Sequence, residues 1–145
     1  MATDRRAEAT WHGSLMEGSG RIDSTTSGVL AGQDLNWKAR AEDSPGSTTS
    51  PEDLIAAAHA SCFAMALSHG LAQAGTPVDE VKTSATVTFV PGTGITKIAL
   101  TVEGRVPGVD DETFRKAAED AKQNCPVSKA LGGVPEMTLD ARLAQ

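Results

Sequence analysis

The sequence predicts an α+β fold. Three observations lead there. Strand and helix signals follow one another in the order βββ-α-ββ-αα-β, rather than in strict strand–helix alternation. One unusually long helix stands between two groups of strands. The length, 145 residues, suits a single domain, 1–145, able to bury one core without disulfides or metals.

Each element has its own signal. Residues 5–30 read as short strands: Ala7, Ala9 and Trp11 alternate with Arg6, Glu8 and Thr10, and Gly18, Gly20 and Thr26-Ser27-Gly28 supply turns before Val29-Leu30. Residues 41–49 form a polar loop rich in Pro, Gly, Ser and Thr. Ser50 is then a good N-cap, Pro51 fits the first helical position, and Glu52 and Asp53 place acids in the first turn. Ser50-Pro51-Glu52-Asp53 resembles a capping box with Asp in the usual Glu position. The helix runs from 51 to about 74, where Gly75 and Pro77 stop it. It is almost uncharged and apolar on every side, so it is expected to be buried all round. At roughly 36 Å it needs a sheet or a second subunit to cover it.

Residues 81–90 alternate Val81, Thr83, Ala85, Val87 and Phe89 against polar neighbours. Pro91-Gly92-Thr93-Gly94 turns the chain, and 95–106 return with Ile98, Leu100 and Val102 on one face: an antiparallel hairpin with one wet face. Asp110 caps a helix over 111–124 with Phe114, Ala117, Ala118 and Ala121 as its apolar stripe. A short helix starts at Cys125-Pro126 and stops at Gly132-Gly133. Met137, Leu139, Ala141 and Leu143 then alternate as a closing strand.

Composition excludes several functions. Charged residues are 22% and hydrophobic residues 39%, which indicates a packed domain rather than disorder. Net charge is 13 − 19 = −6 without a basic block, and there are two Trp, three Phe and no Tyr. Both argue against nucleic acid and anionic membranes as partners. No apolar run is expected to reach the ~20 residues of a membrane span. Residues 1–13 carry no apolar signal-peptide core, so a cytoplasmic location is expected. Without CxxC pairs or clustered histidines, no metal site is expected.

Two cysteines remain, Cys62 and Cys125, 63 positions apart. Cys62 lies mid-helix, where a free thiol packs as a small hydrophobe or acts as a nucleophile. Cys125 lies at a helix N-terminus before Pro126, where orphan N–H groups favour a thiolate. Contrasting settings suggest an attacking and a resolving sulfur. Burial raises a thiol pKa, so a thiolate at Cys62 needs a cation. The helix has no Lys or Arg. Lys38 and Arg40 lie nearest upstream, and Glu52 is a carboxylate able to hold a guanidinium fork. His59, one turn before Cys62, reads as an assisting base or a buried imidazole bonded to a neighbour. His69 and His12 carry no clear signal.

The segments SPEDLIAAAHASCFAMALS, GITKIAL, VPGVD and NCPVSKAL resemble the osmotically inducible protein C / organic hydroperoxide resistance (OsmC/Ohr) family over about 7–143, with VPGVD and the Arg of NWKARAED pointing to the OsmC-like branch. The resemblance implies an intertwined homodimer whose antiparallel sheets wrap long central helices. It implies a thiol peroxidase that reduces organic hydroperoxides in stress defence, needing no metal, haem or flavin. Cys62 matches the family's peroxidatic Cys, Cys125 its resolving Cys, Glu52 its helix-start Glu and Arg40 its active-site Arg. Arg21 is the alternative Arg, in the Ohr-like pattern. An external dithiol of lipoyl type is the implied reductant. Glu52 and Cys62 are ten residues apart on one helix, about 15 Å along its axis, so they do not touch within a chain. Antiparallel central helices in a dimer would bring Glu52 and Arg40 of one subunit to Cys62 and Cys125 of the other. Two rival readings stay open: a non-enzymatic dimer binding an apolar ligand beside structural cysteines, and an α+β enzyme such as a hot-dog thioesterase working without a thiol.

Overall fold

The structure, a computed structural model, describes residues 1–42 and 46–144. Asp43, Ser44 and Pro45 of the expected polar loop, and Gln145, lie outside the described residues. The chain divides into two units, Met1–Leu54 and Ile55–Gln145, with the boundary inside the long helix.

In the first unit, β1 (Ala7–His12) pairs antiparallel with β2 (Ser19–Thr25), which pairs antiparallel with β3 (Asp34–Leu35). A strand was expected at Val29-Leu30. Those residues are instead in turns, with Val29 exposed, and the strand resumes after Gly32. Gly32 has φ +86° and donates its N–H to Ile22 O at 2.8 Å, a conformation that favours glycine and delays the return. All six residues of β1 are exposed, so its alternation does not bury a face within this unit. A helix the sequence reading passed over, α1 (Trp37–Ala41), follows; Asn36 caps it by accepting the Ala39 N–H at 2.7 Å.

The long helix, α2, spans Pro51–Gln73. The Ser50 hydroxyl accepts the Asp53 N–H at 3.1 Å, as a cap should. The capping box is not reciprocal: the Asp53 carboxylate accepts from Thr49 Oγ1 at 2.9 Å. At the other end Thr76 N–H bonds Leu71 O and Gly75 N–H bonds Ala72 O, with Gly75 at φ +84°. This pair of bonds is a Schellman stop.

The expectation that α2 is buried all round is not met within the described residues. Glu52, His59, Phe63, Leu67 and Leu71 are buried on one face, whereas Ala57, Ser61 and His69 are exposed on the other, and Met65 is 73% exposed. At 23 residues α2 is also long and apolar enough to cross a membrane, which corrects the expectation that no run reaches that length; the Ala-rich stretch is weakly apolar residue by residue but uncharged throughout.

In the second unit, β4 (Glu80–Val90) and β5 (Gly94–Arg105) form the expected antiparallel hairpin, with strict in–out alternation along β4. α3 (Asp111–Asn124) is capped by Asp110, whose carboxylate accepts the Thr113 N–H at 2.8 Å. α4 (Pro126–Ala130) follows, then β6 (Glu136–Leu143). β6 pairs with β5 in parallel, which corrects the expectation of purely antiparallel sheets. The chain passes through α3 and α4 before β6, a helical crossover of the kind a parallel pairing requires. Phe63, Leu67 and Leu71 of α2, Ile98, Leu100 and Val102 of β5, and Phe114, Ala118 and Ala121 of α3 form one core. Each of the larger side chains contributes about 1.5–3 kcal/mol by leaving water. That core fixes the middle of α2 against β5 and α3.

Candidate active site

Four side chains carry the expected chemistry, and the structure groups them in two pairs. Arg40 stands in the last turn of α1, and Glu52 in the first turn of α2. Arg40 Nε donates to Glu52 Oε1 at 2.9 Å and to Oε2 at 3.2 Å. Glu52 is buried and Arg40 about one-third exposed, so this pair is held more firmly than a surface salt bridge. Arg21, the alternative guanidinium, is on β2 and reaches over the Gly32 turn instead.

The second pair is Cys62 and Cys125. Both are free thiols, Cys125 buried and Cys62 half-buried. The buried His59–Ser128 contact ties the mid-section of α2 to the start of α4, and the two thiols lie close enough to perturb each other's ionisation. Their settings differ. Burial pushes the Cys62 thiol up, the bond to Cys125 pushes it further, and the Val127 N–H only partly offsets both. Burial also opposes ionisation of Cys125, but it is outweighed by Cys62, by the Ser128 N–H and hydroxyl, and by the Val127 N–H, so Cys125 lies below the ordinary thiol value. The Cys125 sulfur makes no capping hydrogen bond of good geometry, yet it sits at the N-cap of α4 where these donors converge. Within this unit the donors at the start of α4 favour charge on Cys125. The two titrations are coupled, and a cation brought to Cys62 would shift the charge toward it.

His59 is fully buried, and its Nε2 lies 2.7 Å from the hydroxyl of Ser128. Of the two sequence readings, the buried imidazole bonded to a neighbour is the one observed. Burial holds it below the ordinary histidine value. Ser128 was missed from sequence. The available signal was its position, third residue of a helix whose N-cap is a cysteine. His69 is exposed at the far end of α2, on a largely apolar groove of about 550 Å³ that Ala66, Leu71, Ala117 and Pro126 also line. Among the described residues no cluster of His, Cys, Asp or Glu is arranged to hold a metal.

In the second unit the arrangement suits thiol–disulfide chemistry: two neighbouring thiols, one of them with converging N–H donors. The pattern of the family described as OsmC-like protein matches residues 44–140. The chain is 43% identical to the peroxiredoxin OsmC of Escherichia coli K12 over 99% of each chain. It is 30% identical to the organic hydroperoxide resistance protein OhrB of Bacillus subtilis, covering 85% of this chain and 91% of that one. Among solved structures, an organic hydroperoxide resistance protein of Vibrio cholerae with captopril in one active site superposes with a TM-score of 0.67, at 26% identity over 99% of this chain and 94% of that one.

Proposed function

The chain belongs to the OsmC-like protein family, and on that footing we propose that it is a cysteine-based peroxidase that reduces organic hydroperoxides to alcohols. The observation that supports this reading most is the proximity of Cys62 and Cys125, two thiols 63 positions apart that lie close enough to perturb each other's ionisation. A packing role for Cys62 gives no reason for a second, more acidic thiol against it.

In the proposed cycle the Cys62 thiolate attacks the terminal oxygen of ROOH. The O–O bond breaks, the sulfur is oxidised to S–OH, and the alkoxide takes a proton to leave as ROH. Cys125 then attacks the Cys62 sulfur. The S–S bond forms, the S–O bond breaks, and hydroxide leaves as water with the proton that Cys125 gave up. An external dithiol, of lipoyl type, exchanges with the disulfide and restores both thiols. A reducing compartment such as the cytoplasm suits that last step.

Because Cys62 is pushed up within its own unit, the first step needs a cation. Arg40 is our candidate, oriented by Glu52, and its guanidinium also stabilises the charge on the leaving oxygen. Ten residues of helix separate Glu52 from Cys62, about 15 Å, so we place the pair at the Cys62 of a second subunit in a homodimer. The exposed face of α2 around Met65 supports such a partner. The apolar groove supports alkyl hydroperoxides over hydrogen peroxide.

A peroxide-consumption assay with a dithiol donor tests the reading. Cys62→Ser is expected to abolish turnover, and Cys125→Ser to leave one oxidation per thiol without turnover under monothiol-free conditions. Cumene hydroperoxide is expected to outperform hydrogen peroxide in kcat/KM by roughly tenfold or more, the discrimination an apolar pocket gives. Unreactive thiols and no peroxide consumption in the native protein would favour the ligand-binding reading, and enzymatic activity that survives Cys62→Ser would favour the reading of an enzyme working without a thiol.

A further inference from the structure

The structure holds one buried polar contact that the proposed cycle does not use. His59 on α2 and Ser128 on α4 lie 69 positions apart, are both buried, and meet at 2.7 Å. An imidazole in this place is not a packing choice. Phe63 and Leu67, its neighbours one and two turns along the same face, are apolar and fully buried. A buried polar side chain destabilises a core unless it is fully bonded. Yet His59 Nδ1 is buried and has no hydrogen-bond partner among the described residues.

That orphan atom indicates how the pair is oriented. An unpaired buried N–H is rarer and more costly than an unpaired buried acceptor. The proton therefore belongs on Nε2, with Nδ1 bare. Nε2–H then donates to Ser128 Oγ, and the Ser128 hydroxyl hydrogen must turn elsewhere. Ser128 is the third residue of α4, one turn from the N-cap, Cys125. The acceptor at that N-cap is the Cys125 sulfur.

We propose that His59 and Ser128 form a buried relay that aims a hydroxyl hydrogen at the Cys125 sulfur and so sets how fast Cys125 closes the disulfide. In this relay Ser128 addresses the reacting sulfur, and His59 is a positioning residue that acts through it. The hydroxyl as donor favours the Cys125 thiolate over the thiol, consistent with the direction of its shift. Burial keeps His59 neutral, so it has one ring proton to commit. The titratable groups that bear on the Cys125 sulfur are Cys62 from α2 and, through Ser128, His59; Val127 and Ser128 add backbone N–H donors from α4. The closing step is unchanged in its balance: Cys125 supplies the electron pair of the new S–S bond, and hydroxide leaves Cys62 as water.

The proposal rests on the peroxidase reading for its rate prediction but not for its thiol chemistry, so two measurements separate them. The first is alkylation of Cys125 by iodoacetamide against pH, in reduced Cys62→Ser protein, without peroxide. Ser128→Ala and His59→Leu are each expected to move the midpoint upward. Ser128→Thr and His59→Gln, which keep a hydroxyl and a side-chain N–H donor near the ε position, are expected to hold it near the Cys62→Ser value. The second is single-turnover oxidation of otherwise native protein by cumene hydroperoxide. Ser128→Ala and His59→Leu are expected to slow disulfide closure roughly tenfold, the low end for a hydrogen bond to a charged group, without slowing the oxidation of Cys62. If His59→Leu and Ser128→Ala lower Tm but leave the alkylation midpoint in place, the relay is overturned and the contact is structural. If native protein does not react with peroxide, the peroxidase reading fails, and the alkylation profile still decides the relay.

Discussion

Two neighbouring thiols perturb each other's ionisation, and here each is shifted by what surrounds it. Cys125 has the N–H groups of α4 and the Ser128 hydroxyl; Cys62 has burial and a weaker donor. The peroxidase reading therefore depends on Arg40 reaching Cys62. Arg40→Met is expected to remove activity and to lower stability by about 1–3 kcal/mol, because Glu52 is left buried without its partner. Adding Glu52→Gln is expected to recover much of that stability in urea melts but none of the activity. His59 gives a pH signature of its own. Its folded value lies below the ordinary one, so near pH 6.5 the unfolded chain takes up a proton that the folded chain refuses. Stability is expected to fall as pH drops through that region, and urea midpoints at pH 7.5 and 5.5 are expected to differ less in His59→Gln than in the native protein.

At the scale of elements, the helices were legible because their ends carry local chemistry. Ser50-Pro51, Gly75, and Asp110 with Thr113 mark boundaries that the hydrogen bonds reproduce. The β4–β5 hairpin was legible from alternation alone. α1 was not, because five residues in a polar context make too short a pattern; only the Asn36 cap betrays it. The parallel pairing of β6 was not legible either, since alternation shows a face and not a direction. At the site, the cysteines and the Arg40–Glu52 pair could be named from spacing and resemblance, whereas Ser128 required the contact between α2 and α4 to be seen. That packing makes a further prediction. A Cβ at Gly104 on β5 would come 2.5 Å from the ring of Phe114, which is fully buried on α3. Gly104→Ala is expected to destabilise by about 1–3 kcal/mol in urea unfolding.

At the scale of the molecule, α2 is apolar on both faces but covers only one within the chain. An exposed stripe of Ala57, Ser61 and Met65 on so apolar a helix is the surface a second copy would cover. If Arg40 and Glu52 serve the partner's Cys62, then Cys62→Ser and Glu52→Ala, each inactive alone, are expected to recover a fraction of native activity when refolded together, and none if each site is built from one chain. The central claim, that Cys62 and Cys125 form one redox site, has a more direct test. Reduced protein is treated with one equivalent of cumene hydroperoxide and read by intact mass and peptide mapping. The account predicts a loss of two hydrogens and a Cys62–Cys125 link within one chain. An unchanged mass, or oxygen retained on Cys62 with Cys125 still free, would contradict it.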